Sequence, residues 1–203
     1  LRGFFTRQDR ISHIEREAGV AVSASREISR AFRSQTIYTV KQVRISSLSD
    51  SLTQILHSGS ATDSLRSRRE GSLTQVILYD TRDDILNPKV GLFGQIQGNI
   101  AAPILGSSSQ NKNSTLSLSG IIRKYIPIRN FPDFATSLSI SYVRGLNNGL
   151  IPLDKILYVG GDRSVRGFSI DQIGQPEGGV IAFSSQNEIR IPLSSMILSG
   201  FLD

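Results

Sequence analysis

The sequence predicts an all-β fold: a transmembrane antiparallel up-and-down β-barrel, of which this chain supplies about nine strands. Three observations carry that expectation. Apolar residues recur with a period of two and no stretch sustains a 3.6-residue period. The alternate positions are unusually rich in Ser, Gln, Asn, Arg and Glu. The connections between strands alternate between brief and long.

Taken in order, Leu1 to Arg10 reads as a strand, or as part of the strand that follows, because the link near Ile11 to His13 is short where a long one is due. Ile14 to Ile28, Arg33 to Ser46 and Ser72 to Thr81 read as strands with blurred faces. From Val90 to Ala102, Leu92, Ile96 and Ile100 alternate with Phe93, Gln95, Gln97 and Asn99. From Ser114 to Ile126, Leu116, Leu118 and Ile122 oppose Ser117, Ser119 and Arg123, with Gly120 among the apolar set. Ala135 to Leu146 is the clearest case, with Leu138, Ile140 and Tyr142 on one face and Ser137, Ser139 and Ser141 on the other. From Val180 to Leu193, Ile181, Phe183, Ile189 and Ile191 oppose Ser184, Gln186, Glu188 and Arg190, and Met196 to Asp203 reads as a last strand.

The brief links fall around Ser29, at Arg82 to Lys89, at Pro127 to Phe134 and at Ser194 and Ser195. The long ones are Ser47 to Gly71, Pro103 to Asn113 and Asn147 to Gly179, and stretches such as Ser58 to Glu70 have the composition of solvated loops. A meander that crosses a bilayer puts short turns on one side and long loops on the other, whereas a soluble Greek-key sandwich has no reason to. The polar face then lines a wet lumen.

Composition narrows the function classes. The chain has 203 residues, 38% of them hydrophobic and 20% charged, which suits one sizeable domain. No apolar run approaches the ~18 to 20 residues of a membrane helix. Cysteine is absent, so there is no disulfide framework and no thiolate site. His13 and His57 are the only imidazoles and lack partners at metal or catalytic spacing, so each reads as a surface or lumen residue. The net charge of +6 is scattered over many arginines without interleaved aromatics, which argues against nucleic acid. The chain starts at Leu1 without Met and stops inside an apolar pattern, so a piece of a longer protein is expected.

The segment Leu157-Tyr158-Val159-Gly160-Gly161-Asp162-Arg163-Ser164-Val165-Arg166-Gly167-Phe168 stands apart from the other loops. On its own, Arg166 could be a solvated loop arginine. Gly160 and Gly161 precede no helix, so they are not a phosphate cradle. Upstream, Asp80-Thr81-Arg82-Asp83 with Pro88 and Gly91 reads as a charged tight turn rather than a set of catalytic carboxylates. Arg82 is expected to pair locally and hold that turn.

Together these segments resemble the BamA/TamA superfamily of outer-membrane assembly and translocation barrels, also called bacterial surface antigens. Gly160, Gly161, Val165, Arg166, Gly167 and Phe168 match its signature loop. Asp80, Arg82, Asp83, Pro88 and Gly91 match its strand-turn-strand, and Asn187 to Leu193 and Gly200 to Asp203 match the two following strands. The match runs in order over roughly Ser72 to Asp203, and the wording of the Gly160 to Ser164 stretch resembles the TamA-like branch somewhat more than the BamA-like one, without deciding between them.

The resemblance implies a barrel of roughly sixteen strands, of which this chain would be about half, without the first strands, the closing strands or the periplasmic modules. It implies that the loop folds back into the lumen and that Arg166 reaches Glu188 and Asp203 on the inner wall. Periodicity agrees for Glu188, on the polar face with Ser184 and Gln186. For Asp203, a carboxylate facing lipid would cost up to ~2 to 4 kcal/mol, so the lumen is the less costly side. Gly167 would permit the turn and Phe168 would wedge the loop against the wall.

The function so implied is insertion and folding of other outer-membrane proteins in the bacterial outer membrane, with no enzymatic step, cofactor or metal. Its partners would be unfolded clients, membrane lipids and periplasmic chaperones or accessory subunits. A polypeptide-translocating pore of the same superfamily is the nearest alternative, and a passive diffusion porin or a soluble binding sandwich a more distant one.

Overall fold

The computed structural model describes residues 1–9, 13–47, 67–108, 114–128, 133–147, 149, 151–162, 164–174, 178–193 and 196–203. His57, Arg163 and the middle of the Ser47 to Gly71 connection lie outside the described residues.

Nine strands form one sheet in sequence order: β1 (Arg2–Asp9), β2 (Ile14–Glu27), β3 (Phe32–Ser46), β4 (Ser67–Asp80), β5 (Gly91–Ala101), β6 (Ser114–Ile126), β7 (Asp133–Leu146), β8 (Ile181–Leu193) and β9 (Met196–Leu202). Each pairs antiparallel with the next. The ordered meander is what the alternation of brief and long connections requires. Two boundaries differ from the sequence reading. Arg2–Asp9 is a strand of its own, since Arg2 to Asp9 pair residue for residue with Ala21 to Ile14. Ser67–Glu70, placed in the solvated loop by composition, extends β4 and pairs with Lys41 to Arg44.

Register assigns the two faces, because residues directly opposite one another share a side. Ser117, Asn99 and Thr74 fall on one face with Ser139 and Ser184. Side-chain hydrogen bonds run along it, Asn99 Nδ2 to Thr74 Oγ1 at 2.7 Å and Ser139 Oγ to Ser184 Oγ at 2.7 Å. The other face carries Val20, Ile77, Ile96, Leu118, Ile140 and Phe183, all exposed. An apolar face open on so many strands suits lipid, and a hydroxyl-lined face suits a wet lumen.

The chain between β7 and β8 folds over the lumen face. Its 3₁₀ turn, Leu153–Lys155, buries Leu153 against Val43 and Ile45 of β3 with Ile156 beside them. That apolar contact fixes where the rest of the connection can reach.

Candidate functional site

Beyond the 3₁₀ turn the connection forms a compact hairpin held by its own backbone. Leu157 pairs with Gly179, Val159 with Ile173 and Gly161 with Val165. Gly161 N donates to the Phe168 carbonyl at 3.1 Å, and Ser164 N to the Gly161 carbonyl at 3.0 Å. The backbone at Gly160 has φ +131°, where a Cβ would lie 2.4 Å from the Ser169 carbonyl oxygen, so no side chain fits. Gly167 is also left-handed, at φ +88°, which turns the chain immediately after Arg166.

Arg166 meets Asp203 through three hydrogen bonds: its backbone N to Oδ2 at 2.8 Å, Nε to Oδ2 at 2.9 Å and a terminal nitrogen to Oδ1 at 3.0 Å. Fork-to-carboxylate pairing of this kind is open to arginine and closed to lysine. The guanidinium also stacks on Phe201, 3.7 Å from the ring centroid. Register places Phe201 opposite Glu188, hence on the lumen face.

Glu188 does not hold Arg166 directly. It pairs with Arg190, Nε to Oε1 at 3.0 Å, and both line the same lumen cavity of about 210 Å³ with Arg123, Tyr125, Asp162 and Arg166. Phe168, expected to wedge the loop against the wall, is half exposed, and the ring on which the Arg166 guanidinium stacks is Phe201. Phe201 looked like part of an apolar strand in the sequence, and nothing there marked it as a stacking partner.

The upstream turn is organised as a set of local caps. Asp80 takes Arg82 through Nε at 2.9 Å and a terminal nitrogen at 2.7 Å. Asp83 accepts from Lys89 N and Val90 N, and Asp84 from Leu86 N and Asn87 N. These backbone donors hold both exposed turn carboxyls below their usual range. Arg82 lies over Phe93 at 4.7 Å. Gly91 has φ +118°, with a Cβ position 2.4 Å from the Thr81 carbonyl oxygen. The turn also reaches the loop site: the buried Pro88 offers its carbonyl to Arg190 at 3.1 Å. The turn is therefore tied through Pro88 to Arg190 of β8, which with Glu188 lines the cavity that Arg166 also lines.

A second anchor of the same loop went unseen in the sequence. Asp154 receives both terminal nitrogens of Arg68, at 2.5 and 2.6 Å. Arg68 also reaches Glu70 at 2.7 Å, Lys155 reaches Glu70 at 2.8 Å, and Lys41 pairs with Glu17. Side chains of Arg68, Glu70 and Asp154 are only 3%, 4% and 2% exposed. Burial alone would raise the Asp154 pKa, but the charge and hydrogen bonds of Arg68 and the charge of Lys155 outweigh it and hold the group below its usual range. Oxygens of Glu15, Glu17 and Asp154 lie within 4.8 Å of one another. Because Glu17 and Asp154 already have cationic partners, this cluster is an ionic anchor rather than a cation site. His13 is fully buried nearby in the chain, just before β2. The available signal was the charge at every second position, Glu15 and Glu17 or Arg68 and Glu70, which places both members of each pair on one face of a strand.

Amphipathic meander, lumen-facing loop and lipid-facing apolar band define a membrane-spanning β-barrel. The chain belongs to the Omp85 superfamily, whose domain model matches residues 2–203. Its structure is similar to that of BamA from Haemophilus ducreyi lacking POTRA domains 1-3, with a TM-score of 0.78 and 14% sequence identity over 96% of this chain. This chain spans 42% of that one. No curated protein matches by sequence.

Proposed function

We propose that this chain is part of an assembly factor that inserts and folds β-barrel clients in the bacterial outer membrane. The observation that carries the reading is the inward hairpin whose Arg166 is clamped by Phe201 on β9 and by Asp203 just after it. A passive diffusion pore has no need of this particular arginine clamp. A loop that braces the strands beside a lateral seam holds that part of the wall in shape while the seam opens. An opened seam exposes unpaired backbone groups, which a client strand satisfies by adding to the sheet edge. The work is strand exchange and needs no covalent chemistry and no cofactor. Partners of this reading are unfolded client barrels, lipids and periplasmic accessory proteins.

The test uses the full-length protein in lipid vesicles supplied with an unfolded outer-membrane client. Client folding, followed by its heat-dependent gel mobility, should be faster with the protein than in empty vesicles, and slower again with Arg166→Glu. Polypeptide export without client insertion would favour the translocating pore of the same superfamily. Steady ion conductance unchanged by Arg166→Glu, with no client folding, would favour a porin.

A further inference from the structure

The connection after β5 begins on the lipid-facing side of the sheet. Its 3₁₀ turn, Pro103–Leu105, lies against the outward face of β4. Two contacts fix the side. Gly71 alternates with Ser72 and Thr74, and Thr74 belongs to the lumen face, so Gly71 faces outward between Arg69 and Leu73. A Cβ at Gly71 would run into the Leu105 carbonyl. Tyr38, opposite Leu73 and hence on the same outward face, donates its hydroxyl to that carbonyl at 2.9 Å. The turn therefore covers Gly71, which is buried while Arg69 and Leu73 on either side of it are exposed.

The backbone of this turn is closed to water. Ala102 N donates to the Gly71 carbonyl, Leu105 N and Ser107 N to that of Ala102, Gly106 N to that of Pro103, and Ser108 N to that of Arg69. Pro103 has no N–H. The Gly106 carbonyl accepts Arg69 Nε at 2.9 Å. The Ser107 hydroxyl takes Gly71 N at 3.0 Å and donates to the Gly71 carbonyl at 2.9 Å. The side chains do the reverse: Pro103 is exposed and Ile104 is 93% exposed. A lone exposed isoleucine is ordinary on a protein in water. One that tops a turn with its polar groups bonded internally is suited to lipid, where an unbonded N–H or carbonyl would cost several kcal/mol.

Height agrees. From Tyr79, on the outward face at the short-turn end beside Phe32, β4 runs eight residues to Gly71. That is about 26 Å at ~3.3 Å per residue, or about 20 Å for a strand tilted by ~40°, near the top of the ~25 Å apolar band. Leu73 and Ile100, paired directly below the turn, are exposed members of that band.

We infer that Pro103 and Ile104 form an interfacial anchor, inserted among lipid acyl chains at the headgroup boundary of the leaflet on the long-loop side. The anchor continues the lipid-facing surface upward from Leu73 and Ile100. Its bonds to Tyr38, Arg69 and Gly71 hold it rigidly to the wall, so it sets how deeply β4 and β5 sit in the bilayer. Composition concealed it, because Pro103 to Asn113 has the polar character of a solvated loop. The inference rests on the chain spanning a membrane, and not on the assembly role.

The experiment attaches bimane, a small fluorophore, to a single cysteine in the full-length protein, with any other cysteine replaced by serine. The labelled variants are Ile104→Cys, Ile96→Cys in the apolar band, and Leu86→Cys. Leu86 is the matched control: it is 95% exposed, but in the turn that carries the exposed carboxylates Asp83 and Asp84. Each variant is placed in vesicles of phosphatidylcholine brominated near the start of its acyl chains, and iodide is added to the water. Ile104 and Ile96 should lose fluorescence to the brominated lipid and be protected from iodide, and Leu86 should behave in the opposite way. Adding Gly71→Ala should push the turn off the wall, so that lipid quenching at Ile104 falls towards the Leu86 level while that at Ile96 is unchanged.

Iodide quenching at Ile104 equal to that at Leu86 would mark a solvated loop and overturn the inference. Protection of Ile104 from both quenchers would mark a surface covered by protein and overturn it too. So would unchanged lipid quenching at Ile104 in folded Gly71→Ala protein. If Gly71→Ala fails to fold, judged by heat-dependent mobility, the contrast between Ile104 and Leu86 decides alone. Ile96 unquenched by lipid would refute the membrane reading itself, and the anchor with it. Lipid quenching at Ile104 in vesicles where no client folds refutes the assembly role and leaves the anchor standing.

Discussion

Replacing Asp154 by alanine tests whether the loop between β7 and β8 is held by the buried ion network rather than by the Arg166 clamp alone. The substitution strips Arg68, 3% exposed, of a partner that takes two of its nitrogens. Breaking one side of a buried pair costs ~3 to 5 kcal/mol, because the remaining charge stays out of water. Arg68 keeps Glu70 at 2.7 Å, so the lower end, about 3 kcal/mol, is expected. The protein supplies its own control in Glu27→Ala, since the Arg33–Glu27 pair is 55% and 70% exposed and should cost no more than ~1 kcal/mol. Urea unfolding of the full-length protein in vesicles, read by gel mobility, gives both values. Limited proteolysis should cut the connection at Pro152 to Ile156 faster in Asp154→Ala. If Asp154→Ala costs no more than Glu27→Ala, lumen water screens the pair and the anchoring argument fails.

Other outcomes follow from the same geometry. Gly160→Ala places a methyl 2.4 Å from a carbonyl oxygen at φ +131°, so it should destabilise the hairpin by ~1 to 3 kcal/mol and expose Val165 to Phe168 to protease. Acidification should release the loop at Asp154. Its pKa is depressed on folding, so its contribution is complete above the ordinary value of 3.8 and is lost as pH falls through the lower folded value, a change measurable as proteolysis of the connection against pH. Arg82→Ala removes the Asp80 clamp and the contact over Phe93, so hydrogen exchange should rise at Thr81 to Gly91 while β7 and β8 stay protected.

How much was readable depended on where each partner lay. Ser114–Ile126 was read to the residue, because its alternation is unbroken and neither face needs a distant partner to make sense. The start of β4 was misread for the opposite reason. Arg68 and Glu70 have the composition of a solvated loop, and only Asp154 and Lys155, far along the chain, make them suitable for burial. Arg166 and Asp203 stood out through a matched motif, and the geometry brings them together. Glu188 shows the limit of reasoning from one residue at a time: it lies on the expected face, yet Arg190, two residues along the same strand face, engages its carboxylate. Phe201 is a further case, since stacking on a cation depends on register with β8, which no local pattern displays.

The most direct measurement of the central claim is outer-membrane protein assembly and growth in the parent organism carrying the full-length protein with Arg166→Glu, Asp203→Arg, or both. Each single change should put like charges together where three hydrogen bonds now form, and assembly should fail. The double swap restores opposite charges at the same place and should recover a substantial part of assembly. Normal assembly in Arg166→Glu, or a double variant no better than either single one, would contradict the account.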